Sequence, residues 1–305
     1  MHIHPTPYLA PRYWPTWLGL GFLWCIAHLP YRWQLGIGSL LGKLMLALQP
    51  RRRHIATVNL ALCFPQLSNQ ARDTLLHQHF ASLGISLMET AMSWWMPDAR
   101  LRPLAHIEGL EHLERAQLQG HGVILLSAHF TTLEIGTHLL AIHTRFHAMY
   151  RTHKNHLFEA VMKRARETRC EKAIASDDVR GMLQSLEQNI PVWYASDQNY
   201  GHKHSVFATF FGVAAATNPA PIRLAKISGA PIVPFFVQRL PDARGYQLTV
   251  LPALDNIPSS NVADDMRHIH HLIEEQVRKV PEQYLWVHRR FKDRPAGETD
   301  VYRRD

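Results

Sequence analysis

From residue 120 onward, short apolar runs alternate with longer stretches whose apolar residues recur at helical spacing. Val123-Ile-Leu-Leu-Ser127, entered through Gly120 and Gly122, reads as a strand covered on both faces. Similar runs fall at 146–150, 172–175, 191–195, 232–237 and 246–251. Helical spacing occupies 131–142, 155–169, 178–188, 219–228 and 262–280. The last of these carries Asp264 and Asp265 in its first turn and Arg278 and Lys279 in its last, matching the helix dipole. This alternation predicts an α/β fold: a mostly parallel mixed sheet with helices on both faces.

The first part of the chain follows another pattern. Tyr13 to Tyr31 contains no Asp, Glu, Lys or Arg, and Trp14, Trp17 and Trp24 flank a Leu-, Ile- and Phe-rich middle. It predicts an N-terminal membrane-associated helix, about long enough to span, with aromatic ends like an interfacial belt. Pro15, Gly19, Gly21 and His28 weaken the span, so a helix lying on the membrane or packed on the body is the alternative. Only Arg12 precedes the run, whereas Arg32, Lys43 and Arg51 to Arg53 follow it, which predicts a cytoplasmic body. Residues 35–48 read as an amphipathic helix against the bilayer or the main domain. The arginine cluster reads as a partner for lipid phosphates or as a solvated charge run. Ser68 is a good cap for a long helix to Trp95, stopped at Pro97; its end, Met92, Trp94, Trp95 and Met96, suits either core or an apolar pocket. No linker follows Pro50, so residues 1–50 are expected to anchor and 51–305 to form one domain.

Composition narrows the partners only partly. Lys and Arg number 33 against 25 Asp and Glu, a net charge of +8 that suits nucleic acid, an anionic membrane, an acidic carrier protein or a phosphorylated substrate. Nothing resembles a recognition helix or aromatic-basic interleaving, so no nucleic acid is expected. Three cysteines far apart, Cys25, Cys63 and Cys170, indicate neither a disulfide framework nor a metal site, and favour a reducing compartment. The 21 histidines include close pairs but no zinc motif, so no metal is expected.

The candidate chemistry sits after the first strand. His129 lies between strand end and helix start, where open α/β sheets place ligand sites. Thr131 and Glu134 fit the S/T-x-x-E capping box. On one continuous helix His129 and Glu134 would diverge by about 140°, but a histidine in the preceding turn can meet the glutamate. An imidazole there can take a proton from an alcohol while the carboxylate fixes its tautomer. The structural alternative is a capping glutamate beside a satisfied turn histidine.

The run Ser127-Ala-His-Phe-Thr-Thr-Leu-Glu134 resembles the H-x-x-x-x-[D/E] motif of the glycerolipid acyltransferase superfamily. More closely, the chain resembles the late acyltransferases of lipid A biosynthesis, the lauroyl and myristoyl transferases of Gram-negative bacteria. Tyr150-Arg-Thr-His-Lys-Asn155, Asp197-Gln-Asn-Tyr-Gly201 and Ser205-Val-Phe-Ala-Thr-Phe-Phe-Gly212 resemble family segments, and Pro281-Glu-Gln-Tyr-Leu-Trp-Val-His-Arg-Arg-Phe-Lys292 resembles the closing one. Thr152, Asn199 and Ser196 depart from the usual residues, as does the helix start Asn218-Pro-Ala-Pro.

That resemblance implies an enzyme moving a fatty acyl group from acyl carrier protein to a hydroxyl of a lipid A precursor, a Kdo-bearing acylated disaccharide, without a cofactor. It implies the bacterial inner membrane as location, the catalytic domain at its cytoplasmic face, and membrane lipids as neighbours. His129 would be the general base, Glu134 its partner, and Arg151 a phosphate or oxyanion ligand in the same cleft. Lys154, Asn155, Asp197, Gln198 and Phe211 are candidate substrate-binding residues; Asn155 also suits an N-cap, Asp197 and Gln198 a structural turn and Phe211 ordinary core. Arg289, Arg290, Lys292 and Arg294 would meet carrier-protein acids or substrate phosphates. The rival within the class is transfer to a lysophospholipid or aminolipid; outside it, a lipid-binding scaffold without catalysis.

Overall fold

A computed structural model describes residues 6–303; the first residues of the expected anchoring segment lie outside the described ones. Four helices come first: α1 (Trp14–Ala27), α2 (Tyr31–Leu48), α3 (Pro50–Cys63) and α4 (Asn69–Trp95). The expected long apolar helix is divided, because Pro30 ends one segment and starts the next. With 14 residues, α1 is about 21 Å long, shorter than a hydrocarbon core of roughly 30 Å. Among the described residues no helix is long and apolar enough to cross a membrane, which corrects the expectation of a span.

Small residues bring α2 close to α4. Gly38 and Gly42 lie against Gly84, so closely that a methyl group on Gly42 or Gly84 would run into backbone of the facing helix. Ser68 caps α4 by accepting a hydrogen bond from the Ala71 N–H at 3.1 Å.

The chain then passes through α5 (Asp98–Leu101), β1 (Ala105–Glu108), α6 (Leu110–Gln117), β2 (Ile124–Ser127), α7 (Leu133–Ala141) and β3 (His147–Tyr150). It continues as α8 (His156–Glu167), β4 (Lys172–Ala175), α9 (Val179–Glu187) and β5 (Val192–Ala195). A hairpin of β6 (Val206–Phe210) and β7 (Val213–Thr217) precedes α10 (Ala220–Ser228), β8 (Ile232–Arg239), β9 (Tyr246–Val250) and α11 (Val262–Lys279).

Seven strands form one sheet in the order β1-β9-β8-β2-β5-β3-β4, and β6 and β7 form a separate antiparallel pair. Every neighbouring pair in the sheet is parallel except β8 with β9. The central strand β2 is covered on both faces, as its unbroken apolar run predicts. Ile124 and Leu126 belong to a core with Phe80, Ile222 and Ile269, and Val123 and Leu125 to another with Leu113, Ile135 and Leu139. Because β2, β5 and β3 are parallel, their C-terminal ends share one edge of the sheet, where ligand sites of such folds form.

The glycine crossing gives a paired expectation. Gly84→Leu, which forces side-chain volume into backbone, should destabilise the protein by about 3 kcal/mol or more. Gly36→Ala on the open face of α2 meets nothing within 4 Å and should be neutral or slightly stabilising. Thermal melts of the two variants check the pair, and equal melting temperatures would contradict the close packing.

Candidate active site

Register places the central pair. Ser127 of β2 stands opposite Ala195 of β5, so His129 and Asp197, each two residues further on, leave the sheet side by side. The His129 ring donates from Nδ1 to Asp197 Oδ1 at 2.6 Å, and the His129 backbone N–H donates to Oδ2 at 3.0 Å. One carboxylate thus fixes both the backbone and the ring of the histidine. Asp197 is buried, its side chain 1% exposed, while the His129 side chain is 26% exposed. Burial pushes the Asp197 pKa up, but the charge of His129 and the hydrogen bonds from its ring and backbone outweigh this and hold the carboxyl well below its usual range.

Glu134 does not meet His129, which corrects the expected pairing. Its carboxylate accepts two hydrogen bonds from Arg166 of α8, at 3.0 and 2.6 Å, and a third from the Trp94 indole at 3.0 Å. Burial pushes its pKa up, yet the Arg166 charge and these donors hold it below the ordinary value. The capping box is also absent. Helix α7 starts two residues later than expected, and Thr131 bonds Ser82 instead, hydroxyl to hydroxyl at 2.8 Å.

The turn is held from two further directions. Beneath it, Arg239 at the end of β8 donates to both oxygens of Glu89 at 2.7 and 3.0 Å, to Ser82 at 3.2 Å and to Thr131 at 3.5 Å. Across it, the closing segment adds strand-like bonds: Thr131 N–H to Gln283 O at 2.7 Å, and Leu285 N–H to His129 O at 3.0 Å. Gln283 is itself fixed by a reciprocal pair with the Arg239 backbone, at 2.8 and 3.0 Å.

The other expected residues scatter. Arg151 follows β3, which β5 separates from β2; its side chain is exposed and makes no hydrogen bond or ion pair among the described residues. Lys154 is exposed as well. Asn155 caps α8 by accepting from the Phe158 N–H at 3.1 Å, and donates to Thr16 Oγ1 of α1 at 2.8 Å. Gln198 lines a small cavity with His129, Asp197, Tyr284 and His288. Phe211 turns the β6–β7 hairpin with φ of 50° and packs between the rings of Phe64, Phe210 and Trp286.

The C-terminal cations also divide. Arg290 is buried and donates to Ala216 O at 2.8 Å and Thr217 Oγ1 at 2.7 Å, so it cannot reach an external acid. Arg289 pairs with Asp300 and Arg294 with Glu298. Sequence reasoning did not single out Arg166, Glu89, Arg239, Tyr284 or His288. Burial pushes the His288 pKa down to about 4, leaving a neutral ring whose Nε2 accepts from the Asn199 N–H at 3.1 Å. Among the described residues no group of three His, Cys, Asp or Glu side chains is placed to hold a metal ion. Of the tryptophan-methionine cluster, Met92 and Met96 are core. Trp94 and Trp95 line a cleft of about 740 Å³ with Trp17, Leu20 and Trp24 of α1 and Val161 of α8.

A family model described as bacterial lipid A biosynthesis acyltransferase matches residues 2–293. The chain is 40% identical to the lipid A biosynthesis palmitoleoyltransferase of Escherichia coli (strain K12), over 97% of this chain and 96% of that one. It is 39% identical to the lipid A biosynthesis lauroyltransferase of the same organism, over 97% of both chains. Among solved structures it is similar to a 1-acyl-sn-glycerophosphate (LPA) acyltransferase from Thermotoga maritima, with a TM-score of 0.39 and 12% identity over 79% of this chain and 97% of the other.

Removing one member of a buried pair leaves an uncompensated charge. Glu89→Gln, which strands Arg239 under the turn, is expected to cost about 3–5 kcal/mol. A denaturant titration reads this directly, and a loss near zero would show that Glu89 does not neutralise Arg239. Asp197 adds a pH dependence. Its folded pKa lies below the unfolded value of roughly 3.9, so its stabilisation is present above that value and is lost as pH falls through the folded pKa. In Asp197→Asn the stability at neutral pH should drop and the acid limb of the stability curve should flatten.

Proposed function

Because the chain belongs to the bacterial lipid A biosynthesis acyltransferases, we propose that it transfers a fatty acyl chain from acyl carrier protein to a hydroxyl of a Kdo-bearing, tetra- or penta-acylated lipid A precursor. The observation that carries the mechanism is the short bond from the His129 ring to buried Asp197. A carboxylate on Nδ1 leaves the proton there and turns the lone pair of Nε2 toward substrate.

His129 Nε2 takes the proton of the acceptor hydroxyl as its oxygen attacks the thioester carbonyl carbon. Asp197 steadies the imidazolium that forms. Collapse of the tetrahedral intermediate breaks the carbon–sulfur bond, and the departing thiolate recovers the proton from Nε2, so the cycle balances without a cofactor. The carboxylate partner in this mechanism is Asp197. Glu134 instead locks the first turn of α7 to α8 and α4 through Arg166 and Trp94. Arg151 and Lys154, exposed and beyond the neighbouring strand, are read as contacts for a substrate group outside the immediate centre. Gln198, which lines the His129 cavity, is read as an acceptor contact.

Residues 1–50 are read as the anchoring segment at the bacterial inner membrane and 51–305 as the catalytic domain on its cytoplasmic side. Trp14, Leu18, Phe22 and Trp24 of α1 and Trp33, Leu40, Leu44 and Leu48 of α2 are exposed. Apolar surface of this extent suits helices lying in the interface rather than crossing it. The cleft between α1, α4 and α8, apolar on its tryptophan-rich side and bordered by Arg164, Thr168 and Arg169 on the other, is read as a place for an acyl chain.

Mass spectrometry of lipid A from cells with and without the gene tests the assignment: one acyl chain should be missing without it, and an unchanged acyl count would overturn it. Purified protein offered the lipid A precursor, a lysophospholipid and an aminolipid should use the first. His129→Ala should abolish transfer with the fold retained. Asp197→Asn should lower kcat on the order of 10³-fold to 10⁴-fold by presenting the wrong tautomer. Full turnover in either variant would rule out this mechanism.

A further inference from the structure

Three cations without an ion-pair partner among the described residues face one cleft, beside Arg289, which is paired with Asp300. Arg51 and Arg52 open α3, and Lys292 closes the C-terminal motif; together they line a cleft of about 800 Å³ whose wall includes His288. Neither arginine side chain makes a hydrogen bond or ion pair among the described residues. Lys292 makes none with its side chain either, and nearby Asp300 is already held by Arg289. Unpaired like charges converging on one concavity repel one another, so an anion placed among them relieves that repulsion. His288 also walls the small cavity that holds His129 and Asp197, so the basic cleft adjoins the reacting centre.

An independent observation is apolar. Trp33, Leu40, Leu44 and Leu48 recur at helical spacing along α2 and are 66%, 69%, 53% and 69% exposed. Gly38 and Gly42, on the opposite side of that helix, are the residues buried against α4. The stripe therefore faces away from the body, and its last residue, Leu48, is itself a wall of the basic cleft. An apolar track that ends in a cationic recess beside a catalytic histidine is complementary to an amphiphile whose head is anionic. An acidic carrier protein would use the cations but has no need of the track. Guanidinium groups match phosphate oxygens in geometry as well as charge.

We propose that this cleft binds a phosphate group on the headgroup of the acceptor lipid, with the lipid's chains lying along the α2 stripe and its hydroxyl delivered past His288 to His129. The identity of that lipid rests on the acyltransferase reading; the phosphate site rests on the cleft itself.

The test uses the full chain in neutral detergent and equilibrium binding, so that it does not depend on turnover. The probes are a phosphorylated, acylated glucosamine disaccharide and its dephosphorylated counterpart. The unaltered protein should prefer the phosphorylated lipid by at least about tenfold. The triple variant Arg51→Gln/Arg52→Gln/Lys292→Gln, with an unchanged melting temperature, should lose that preference. Arg180→Gln, on the exposed surface of α9, should keep it. Inorganic phosphate should compete weakly and only against the phosphorylated lipid. Equal affinity for both lipids, or a preference that survives in the triple variant, overturns the proposal. So does inorganic phosphate binding as tightly as the lipid. Two further results would reassign the cations and equally overturn it: loss confined to binding of phosphatidylcholine vesicles carrying phosphatidylglycerol points to a general anionic surface, and loss confined to equilibrium binding of the acyl carrier points to a protein partner. If the binding preference is found but no acyl transfer occurs, the site stands and the acyltransferase mechanism falls.

Discussion

A single buried carboxylate accepting both the ring and the backbone N–H of one histidine is the constraint on which the site depends. Asp197 can do this only because β2 and β5 are adjacent, parallel and in a register that sets Ser127 against Ala195. A slip of one residue would turn one side chain to the opposite face of the sheet and separate the pair. The chemistry is therefore encoded less in the turn itself than in the apolar runs that align two central strands. The bond to the backbone matters as much as the bond to the ring. It fixes where the chain leaves β2, and so where the imidazole begins.

Holding a polar turn against a core requires that every buried donor find an acceptor. Three segments remote in sequence meet here to do so. Helix α4 brings Glu89 and Ser82, β8 ends in Arg239, and the closing segment brings Gln283. The Glu89 charge raises the pKa of Arg239 despite burial, so the guanidinium stays charged. The closing motif is thus a structural part of the active-site turn: its backbone pairs with residues 129–131 in the manner of an extra strand.

These arrangements explain what was legible in the sequence. The run 172–175 was found with its observed bounds, and the strands at 123–127, 146–150 and 191–195 to within a residue at one end; of these, β2 and β5 are buried throughout and carry the densest apolar signal. Strand β1, Ala105-His-Ile-Glu108, is an edge strand with alternating exposure and no dense apolar signal. The β6–β7 hairpin was hidden because its turn uses Phe211 and Gly212, both at positive φ, in place of the Asn-Gly or Asp-Gly pair that marks such turns. Helix α3 was obscured by its opening arginines. The partner of His129 was misread for a different reason. Glu134 is close along the chain and Asp197 is 68 residues away, so only the pairing of β2 with β5 makes the latter the neighbour. Asp197 was recognised as belonging to the same edge of the sheet, but its role as the imidazole's acceptor required strand order, which local pattern does not contain.

The closing Arg289-Arg290-Phe-Lys292 shows how one basic run divides by burial. Among the described residues Arg290 has no carboxylate in contact, an unusual state for a fully buried guanidinium, and burial lowers its pKa. Its neighbours are groups that tolerate a cation: the carbonyl of Ala216, the hydroxyl of Thr217 and the ring of His270, whose own pKa burial depresses to about 3. The negative charge of Asp197 favours protonated Arg290 across the cavity. The carboxylate thus faces the ring of His129 on one side and the charge of Arg290 on the other. The Arg290 charge favours the ionised form of Asp197 independently of the imidazole. A glutamine in place of Arg290 would supply no charge and a lysine no fork of donors for Ala216, Thr217 and His270, which accounts for a guanidinium buried two residues from the exposed Lys292.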